Sequence, residues 1–303
     1  MTRVFIDGAA GTTGLEIEAR LEQRSEFELI RLDERDRKSE RHRRDALREA
    51  DVAILCLPDA AAIEAVALAS DGTRLIDASS AHRVAPGWTY GLPELGYDVA
   101  GAARVSNPGC YPTGFLALIV PLVRAELIPA DWPLTVNAVS GYSGGGKPLV
   151  ARFQADKALA HRVYGVNLDH KHLPEMQQHG GLARPPIFAP AVTAAFRGMI
   201  VEVPLPLSAL PRRPKRDVLL DTLRRFYEGS DVIRVQSDRP EELLLREDLA
   251  PFDWIDLYVF TDSREEQARL VAVLDNLGKG ASGAAVQNLN LMTGNPATAG
   301  LRL

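Results

Sequence analysis

The sequence contains little cysteine, no excess of basic charge and no long hydrophobic run. Only two of its 303 residues are cysteines, which argues against a disulfide framework and favours a reducing compartment. The formal net charge is −5, so the chain lacks the overall basic character of a nucleic-acid-binding protein. No apolar stretch is long enough to span a membrane, and the N-terminus has no signal-peptide pattern. We therefore expect a cytoplasmic protein without a nucleic-acid or membrane partner.

The remaining composition, 46% hydrophobic and 25% charged, is typical of a globular enzyme with a sizeable core. Strands and helices alternate over the first third, whereas longer strands follow from about residue 134. This change predicts an α/β protein with a Rossmann-type parallel-sheet domain and a central α+β domain with a mixed or antiparallel sheet.

A glycine-rich turn follows the first predicted strand, residues 4–7, and precedes a helix predicted over residues 15–23. Its G-x-x-G-x-x-G spacing is a variant of the dinucleotide fingerprint, in which small residues let a pyrophosphate approach the helix N-terminus. A tight turn without a ligand is the alternative. The candidate cofactor-binding residues of this turn are Gly8, Gly11, Thr12, Thr13 and Gly14.

A charged loop, residues 33–38, follows the second predicted strand at residues 27–32. In a Rossmann unit, this is where the adenosine ribose binds. A lone acidic residue would favour NAD, but Arg35, Arg37 and Lys38 can pair with a 2′-phosphate. We therefore predict NADP as the cofactor, with Arg35 and Arg37 as ligands, against the alternative of a solvated loop.

Three further segments follow predicted strand ends, where ligands of parallel sheets bind. Pro58 ends the buried run at residues 51–58, and Ser79 ends the strand at residues 74–79. Both are candidate neighbours of the cofactor, and Cys56, which lies inside the buried run, is either a core residue or a backbone neighbour of the cofactor. The segments 79–83 and 107–110 are expected at the same crevice.

Cys110 lies between a proline–glycine turn and an apolar run, residues 115–127, that predicts a helix. The turn places the thiol at or just before the first turn of that helix. Unpaired N–H groups and the helix dipole stabilise a thiolate there and lower its pKa. Cys110 is therefore a candidate nucleophile; the alternative is a small buried thiol in a turn.

The central domain is predicted to contain strands at residues 134–139, 190–206, 232–235, 255–260 and 270–274 and a helix at 213–227. A glycine-rich loop at residues 140–147 admits substrate or forms a flexible lid, and it supplies Ser140 and Lys147 as candidate substrate ligands.

Two histidines, His170 and His172, lie two residues apart and are followed by Pro174 and Glu175. The H-x-H spacing is also a metal-ligand pattern, but no second cluster completes a site, so no metal is predicted. A thiol nucleophile needs a base near neutral pH, and histidine suits that role. A polar turn capping a helix is the alternative.

The C-terminal segment, residues 276–291, predicts a small-residue turn that opens an apolar helix. The small residues, Ser282 among them, permit a cofactor to approach closely.

Residues 106–114, 170–175 and 279–290, together with residues 8–14, resemble the short form of the N-acetyl-gamma-glutamyl-phosphate reductase family of arginine biosynthesis. The resemblance covers essentially the whole chain, and the architecture is similar to aspartate-semialdehyde dehydrogenase and glyceraldehyde-3-phosphate dehydrogenase. It implies a Rossmann domain of residues 1–112 and 282–303, closed by the C-terminal helix. It also implies a central domain, residues 113–281, that forms a homodimer or homotetramer. Many members have arginine where Lys171 stands, which puts a bidentate role at that position in doubt.

The resemblance further implies that the Cys110 thiolate attacks an acyl phosphate and that NADPH reduces the thioester to a semialdehyde. It implies His172 as the acid/base, His170 and Glu175 as orienting or substrate-binding residues, and Asn288 near the nicotinamide. Arg83 and Asn107 are hypothesised to bind the substrate phosphate. The alternative is that Arg83 packs on the surface near Trp88.

Three other functions stay open from the sequence. The first is a reductase of a related acyl phosphate, such as aminoadipyl or aspartyl phosphate. The second is a non-phosphorylating aldehyde dehydrogenase, and the third is a non-catalytic NADP-sensing Rossmann module.

Overall fold

The computed structural model describes residues 1–246 and 250–303. The chain divides into two compact units. The first unit comprises Met1–Gly109 and Ala281–Leu301, and the second comprises Cys110–Gly280 and Arg302–Leu303.

A six-stranded, all-parallel sheet forms the centre of the first unit. The strands are β1 (Thr2–Asp7), β2 (Phe27–Ile30), β3 (Val52–Leu55), β4 (Arg74–Asp77), β5 (Thr89–Tyr90) and β6 (Arg104–Ser106). Their order in the sheet is β2-β1-β3-β4-β6-β5, with the first strand inside the sheet, as in a Rossmann unit.

Helices α1 (Thr12–Leu21), α2 (Glu40–Glu49), α3 (Asp59–Leu68) and α8 (Gly283–Met292) complete the first unit. Ala285, Val286 and Leu289 of α8 share one buried core cluster with Val4 and Ile54 of the sheet. The predicted completion of the Rossmann domain by a C-terminal helix is therefore confirmed.

Helix α1 begins at Thr12, three residues before the predicted start at Leu15. The sequence pattern placed the start at the first apolar residue. In the structure Gly14 already lies in the first turn, where a β-carbon would be only 2.6 Å from the carbonyl oxygen of Gly8. The absent side chain therefore lets the helix start close to the turn.

A seven-stranded mixed sheet forms the centre of the second unit, in the order β11-β12-β13-β10-β7-β9-β8. The pairs β7–β9 and β11–β12 are parallel, and the other four are antiparallel, which confirms the predicted mixed sheet. The strands are β7 (Thr135–Gly141), β8 (His161–Val163), β9 (Ile187–Thr193), β10 (Met199–Leu205), β11 (Ile233–Val235), β12 (Ile255–Thr261) and β13 (Ala268–Leu274).

The helices of the second unit are α4 (Cys110–Arg124), α5 (Gly146–Ala155), α6 (Leu173–His179) and α7 (Arg216–Phe226). Helices α4 and α7 pack on one face of the sheet. Residues 111–122 of α4 are all buried. A β-carbon on Gly114 would lie 2.9 Å from Cγ2 of Val201, so glycine there lets α4 approach β10 closely.

The structure corrects two predictions for the second unit. The segment predicted as a glycine-rich loop, residues 140–147, ends β7, forms a 3₁₀ turn at Tyr142–Gly145 and begins α5 at Gly146. Pro148 obscured this helix in the sequence, although proline is tolerated in a first helical turn. The single run predicted at residues 190–206 is two strands, β9 and β10, separated by a loop at 194–198.

Among the described residues, no helix combines the length and the apolar character needed to cross a membrane.

Candidate active site

Cys110 is the first residue of the buried helix α4 and is itself partly exposed. The N–H groups of a first helical turn have no partner within the helix and favour negative charge. The other cysteine differs, because burial and the carboxylates of Asp77 and Asp7 raise the pKa of the Cys56 thiol to about 12. Of the two thiols, Cys110 has the surroundings of a nucleophile.

The histidine pair lies beside the residue that follows Cys110. The ring centroid of Tyr111 is 5.9 Å from that of His172 and 6.4 Å from that of His170. The two imidazole rings are 4.7 Å apart, and Phe188 contacts Tyr111 and His170 at 5.1 Å each. The second unit thus brings the thiol-bearing helix and both histidines into one neighbourhood.

A tight turn before α6 sets the orientation of the two histidines. The backbone N–H of His172 donates to Nδ1 of His170 over 3.1 Å, and Pro174 lies in the first turn of α6. The side chain of Glu175 is 1% exposed, and its Oε1 lies 3.9 Å from Nε2 of His172. A buried carboxylate near an imidazole is the arrangement that orients a general base.

The glycine-rich turn of the first unit leaves no room for a side chain at Gly8. Gly8 has a φ of +89°, and a β-carbon there would lie 2.3 Å from the carbonyl oxygen of Cys56. The N–H of Gly11 donates to the carbonyl oxygen of Gly8 over 2.9 Å, and Thr12 and Thr13 open α1. This compact turn leads into the positive end of a helix, which is the geometry that holds a pyrophosphate.

A cavity of about 340 Å³ lies next to this turn. Arg37 and Lys38 line it together with Arg43, a residue of α2 that was not among the candidates from the sequence. Arg35 is not among the lining residues; its side chain is 84% exposed and lies 3.6 Å from a carboxylate oxygen of Asp33. The cavity is lined by Phe5, Ile6, Asp7, Gly8, Ala9, Ala10, Glu18, Leu29, Ile30, Arg31, Leu32, Arg37, Lys38, Arg43, Leu57 and Ala61.

Arg43 is fixed in this cavity by Asp7 at the end of β1. Its Nη2 lies 2.8 Å from Oδ2 of Asp7, and its Nε lies 3.0 Å from the same oxygen. The aspartate is 4% exposed, so a buried carboxylate holds this guanidinium at the cavity wall.

Arg83 is buried, with 8% exposure, which does not fit the surface packing considered as its alternative role. Its Nε donates to the carbonyl oxygen of Asn107 over 3.1 Å, and its Nη2 donates to that of Ala78 over 3.2 Å. His82, rather than Arg83, stacks on Trp88 at 4.2 Å.

Ser79 belongs to a hydrogen-bonded loop at the carboxyl end of β4. Its hydroxyl donates to Oδ2 of Asp77 over 2.7 Å, and Nδ1 of His82 lies 2.6 Å from the same oxygen. Asp77 thereby fixes the loop that leads to Arg83. Pro58, the other candidate at a strand end, occupies the position directly before α3 and makes no side-chain capping bond.

The Asn288 side chain of α8 is fully buried and joins several segments of the first unit. Its Nδ2 donates to Oδ1 of Asn107 over 3.0 Å and to the carbonyl oxygen of Gly91 over 3.1 Å. Asn107 in turn donates to the carbonyl oxygen of Ala281, beside the buried Ser282. No described residue donates to Oδ1 of Asn288, so this buried acceptor suits an amide of a bound ligand.

Comparison with known proteins assigns the chain to a family. The model of the semialdehyde dehydrogenase NAD binding domain matches residues 3–103, and that of the semialdehyde dehydrogenase dimerisation domain matches residues 110–276. N-acetyl-gamma-glutamyl-phosphate reductase of Brucella ovis is 50% identical, over 96% of this chain and 99% of that protein. The Brucella anthropi protein of the same name is 48% identical, over 96% of this chain and 98% of that protein. The chain belongs to the N-acetyl-gamma-glutamyl-phosphate reductase family.

Two solved structures of low sequence identity share the fold of this reductase-family chain. A structure of aspartate semialdehyde dehydrogenase II of Vibrio cholerae gives a TM-score of 0.69 at 17% identity, over 97% of this chain and 98% of that one. The Candida albicans aspartate semialdehyde dehydrogenase, solved with NADP, gives a TM-score of 0.67 at 14% identity, over 97% of this chain and 98% of that one. The predicted family resemblance and the predicted architecture are both confirmed.

Tyr164 lies near Cys110, and the sequence analysis did not identify it as a candidate site residue. Burial raises the pKa of Tyr164 to about 12, and it raises that of Tyr111 well above the usual range. The two phenols share a hydrogen bond, and negative charge on Cys110 disfavours ionisation of both. Ser140 also hydrogen-bonds Tyr111. Tyr164 follows a three-residue edge strand with no periodic pattern, so no local signal marks it.

Lys147, a further substrate candidate, is exposed on α5, and no contact joins it to the histidine pair among the residues described. Within the same residues, no cluster of three His, Cys, Asp or Glu side chains could hold a metal ion.

Proposed function

We propose that this protein reduces N-acetylglutamyl 5-phosphate to N-acetylglutamate 5-semialdehyde and phosphate, with NADPH, in arginine biosynthesis. The names of the close relatives support this substrate. The observation that carries the proposed chemistry is the second unit's combination of a thiol at a helix N-terminus with a buried histidine–glutamate pair.

The Cys110 thiolate attacks the acyl carbon, forms a carbon–sulfur bond and expels phosphate. The product is a thioester on Cys110. His172 takes the thiol proton, and Glu175 stabilises the imidazolium that forms, because it is a carboxylate 3.9 Å away. Reduction of the thioester then gives a thiohemiacetal. Its collapse breaks the carbon–sulfur bond and releases the semialdehyde, and the proton that His172 took in the first step returns to the sulfur to regenerate the thiol.

The residues of the first unit fit a nicotinamide dinucleotide. The turn that begins at Gly8 leads directly into the N-terminus of α1, whose N–H groups favour a pyrophosphate, and Oδ1 of Asn288 is a buried acceptor for a carboxamide. When bound, NADPH supplies the hydride that reduces the thioester carbon. Arg37, Lys38 and Arg43 offer the positive charge that a 2′-phosphate needs.

The direct test follows NADPH formation by its near-ultraviolet absorbance. The purified protein is given NADP⁺, phosphate and one semialdehyde, which is N-acetylglutamate, aminoadipate or aspartate semialdehyde. We expect turnover with the first compound. Preference for another would identify a reductase of a related acyl phosphate. Phosphate-independent turnover would identify a non-phosphorylating dehydrogenase, and cofactor binding without turnover a sensing module.

Replacing Arg37 by serine should weaken NADPH binding ~10-fold or more, because one charge-assisted hydrogen bond is worth ~1.5–3 kcal/mol. NADH binding should change little, since NADH has no 2′-phosphate. Arg35→Ser is the matched control, because Arg35 lies outside the cavity. Fluorescence titration of both cofactors measures the effect. Equal losses of NADPH affinity in the two variants would contradict the assignment of Arg37.

Replacing Arg83 by leucine should raise the KM for phosphate in the reverse reaction at least ~10-fold, because it removes a charge-assisted hydrogen bond worth ~1.5–3 kcal/mol. NADP⁺ affinity should stay unchanged, because the cofactor phosphates are proposed to bind at the turn near Gly8. Arg48→Leu, on the exposed side of α2, controls for the loss of a positive charge. An unaltered phosphate KM in the folded Arg83 variant would remove this residue from the site.

The proposal includes a homodimer or homotetramer, assembled through the second unit. The dimerisation-domain model that matches residues 110–276 supports this. Ile200 and Glu202 of β10 are only half-buried, on the sheet face opposite α4 and α7. We also propose a cytoplasmic location, because both cysteines are free thiols, as is usual in a reducing compartment.

A further inference from the structure

The turn before α8 lies directly against the proposed nucleophile. A β-carbon on Gly280 would be 3.0 Å from Cβ of Cys110 and 3.1 Å from the carbonyl oxygen of Asp275. Contacts of that length are tighter than those of most real β-carbons. The backbone at Gly280 therefore forms a wall against which the Cys110 side chain rests.

Asp275 holds this turn together. Its carbonyl oxygen accepts hydrogen bonds from the N–H groups of Gly278 and Gly280, each over 3.0 Å. Its carboxylate accepts one from the N–H of Leu277 over 2.9 Å. Asp275 is fully buried, and the backbone N–H groups of three residues in this turn, Gly280 included, donate to its oxygens.

Arg197 fixes the other carboxylate oxygen of Asp275. Its Nη2 lies 2.7 Å from Oδ2, and its side chain is 12% exposed. Arg197 is part of the loop between β9 and β10, which is itself tightly held. A β-carbon on Gly141 would be 2.7 Å from Cα of Arg197, and Asn276 accepts a hydrogen bond from the N–H of Gly198 over 2.8 Å.

The contact between Arg197 and Asp275 is a largely buried ion pair. Two charges removed from water lose hydration, and apolar side chains of similar volume often give equal or greater stability. What the ion pair adds is a fixed, directional link between the loop at Arg197 and the turn at Asp275. Such a link matters where a neighbouring atom must be placed accurately, and the neighbouring side chain is Cys110.

We propose that the ion pair between Arg197 and Asp275 positions the Cys110 thiol for the chemical step. This inference rests on the proposed function only in taking Cys110 as the nucleophile. Both members are positioning residues. They hold the Gly280 backbone against Cys110 and thereby set the direction of its sulfur atom.

Gly280→Ala tests the contact without altering charge. We expect kcat to fall ~10–100-fold, because a displacement of about 1 Å at a reacting group can cost ~100-fold. The KM for phosphate should stay close to that of the wild type. The rate of Cys110 alkylation by iodoacetamide, followed by mass spectrometry of the cysteine peptide, should change in the same variant. Gly72→Ala is the control, because no described atom lies within 4 Å of a β-carbon there.

Arg197→Met and Arg197→Lys test the ion pair itself. The methionine variant should reproduce the loss of kcat and the altered alkylation rate, and lysine, which keeps a cation opposite Asp275, should restore most of both. A purely structural role would lower the melting temperature of Arg197→Met and leave kcat and alkylation unchanged in the folded protein.

Unchanged kcat and alkylation in folded Gly280→Ala would overturn the proposal, even if Arg197→Met fails to fold. The wild-type protein could prove inactive in the reductase assay while Gly280→Ala and Arg197→Met still change the rate of Cys110 alkylation. That result would overturn the proposed function and leave the positioning role standing. The two failures are therefore distinguishable.

Discussion

Cys110→Ser should fold like the wild type and lose reductase activity by ~10³-fold or more, as expected when a catalytic nucleophile is removed. The change is nearly isosteric at a partly exposed position, so packing around α4 is preserved. A serine hydroxyl is not ionised near neutral pH, and the helix N-terminus cannot lower its pKa enough to matter. The measurement is kcat with N-acetylglutamate semialdehyde, phosphate and NADP⁺, together with the melting temperature.

Cys56→Ser is the control for this prediction. Its thiol has a pKa of about 12, raised by burial and by two nearby carboxylates, so it is protonated at any working pH. We expect activity close to that of the wild type. If Cys110→Ser instead kept more than about a tenth of the activity, the barrier would have risen by less than ~1.4 kcal/mol, and Cys110 would not be the nucleophile.

The features predicted correctly from the sequence are those that depend on residues consecutive in the chain. The turn after β1 was recognisable because glycines recur every third residue between an apolar strand and a helix. The start of α4 was recognisable because a Pro–Gly turn precedes a long apolar run, and Cys110 is indeed its first residue. Local backbone requirements fix both features, so the order of residue types is enough.

The features missed from the sequence depend on residues far apart in the chain. No local pattern in the sequence marks Arg43, and its place at the cavity wall depends on Asp7, which is 36 residues away. Arg35 and Arg37 looked equivalent in the sequence, but only Arg37 reaches the cavity. The direction of a loop side chain is set by tertiary contacts, and composition does not encode it.

The same limit applies to the positioning pair, because Arg197 and Asp275 each follow or precede a strand end in an unremarkable loop. Their partnership exists only once β10 and β13 pair as neighbours in the sheet. The sequence predicted the chemistry of the site from Cys110 and His172, but not the residues that hold the thiol in place.

His172→Asn should lower kcat by ~10²–10⁴-fold, the usual range for loss of a general acid–base group. Asparagine keeps the size and a polar contact near Glu175 but cannot exchange a proton near neutral pH. The KM for phosphate should change little, because Arg83 is proposed to bind it. His161→Asn, at an exposed position on β8, is the control and should be active.

His170→Asn distinguishes the two histidines. Nδ1 of His170 accepts the backbone N–H of His172, so the ring of His170 serves to hold the turn. The ring of His172 is the one that faces the buried Glu175 carboxylate. We therefore expect a smaller loss of kcat in His170→Asn than in His172→Asn, together with a lower melting temperature. If His170→Asn instead loses most of its activity while His172→Asn stays nearly normal, the two assignments must be exchanged. The base would then be His170, whose Nδ1 accepts a backbone hydrogen bond in this structure.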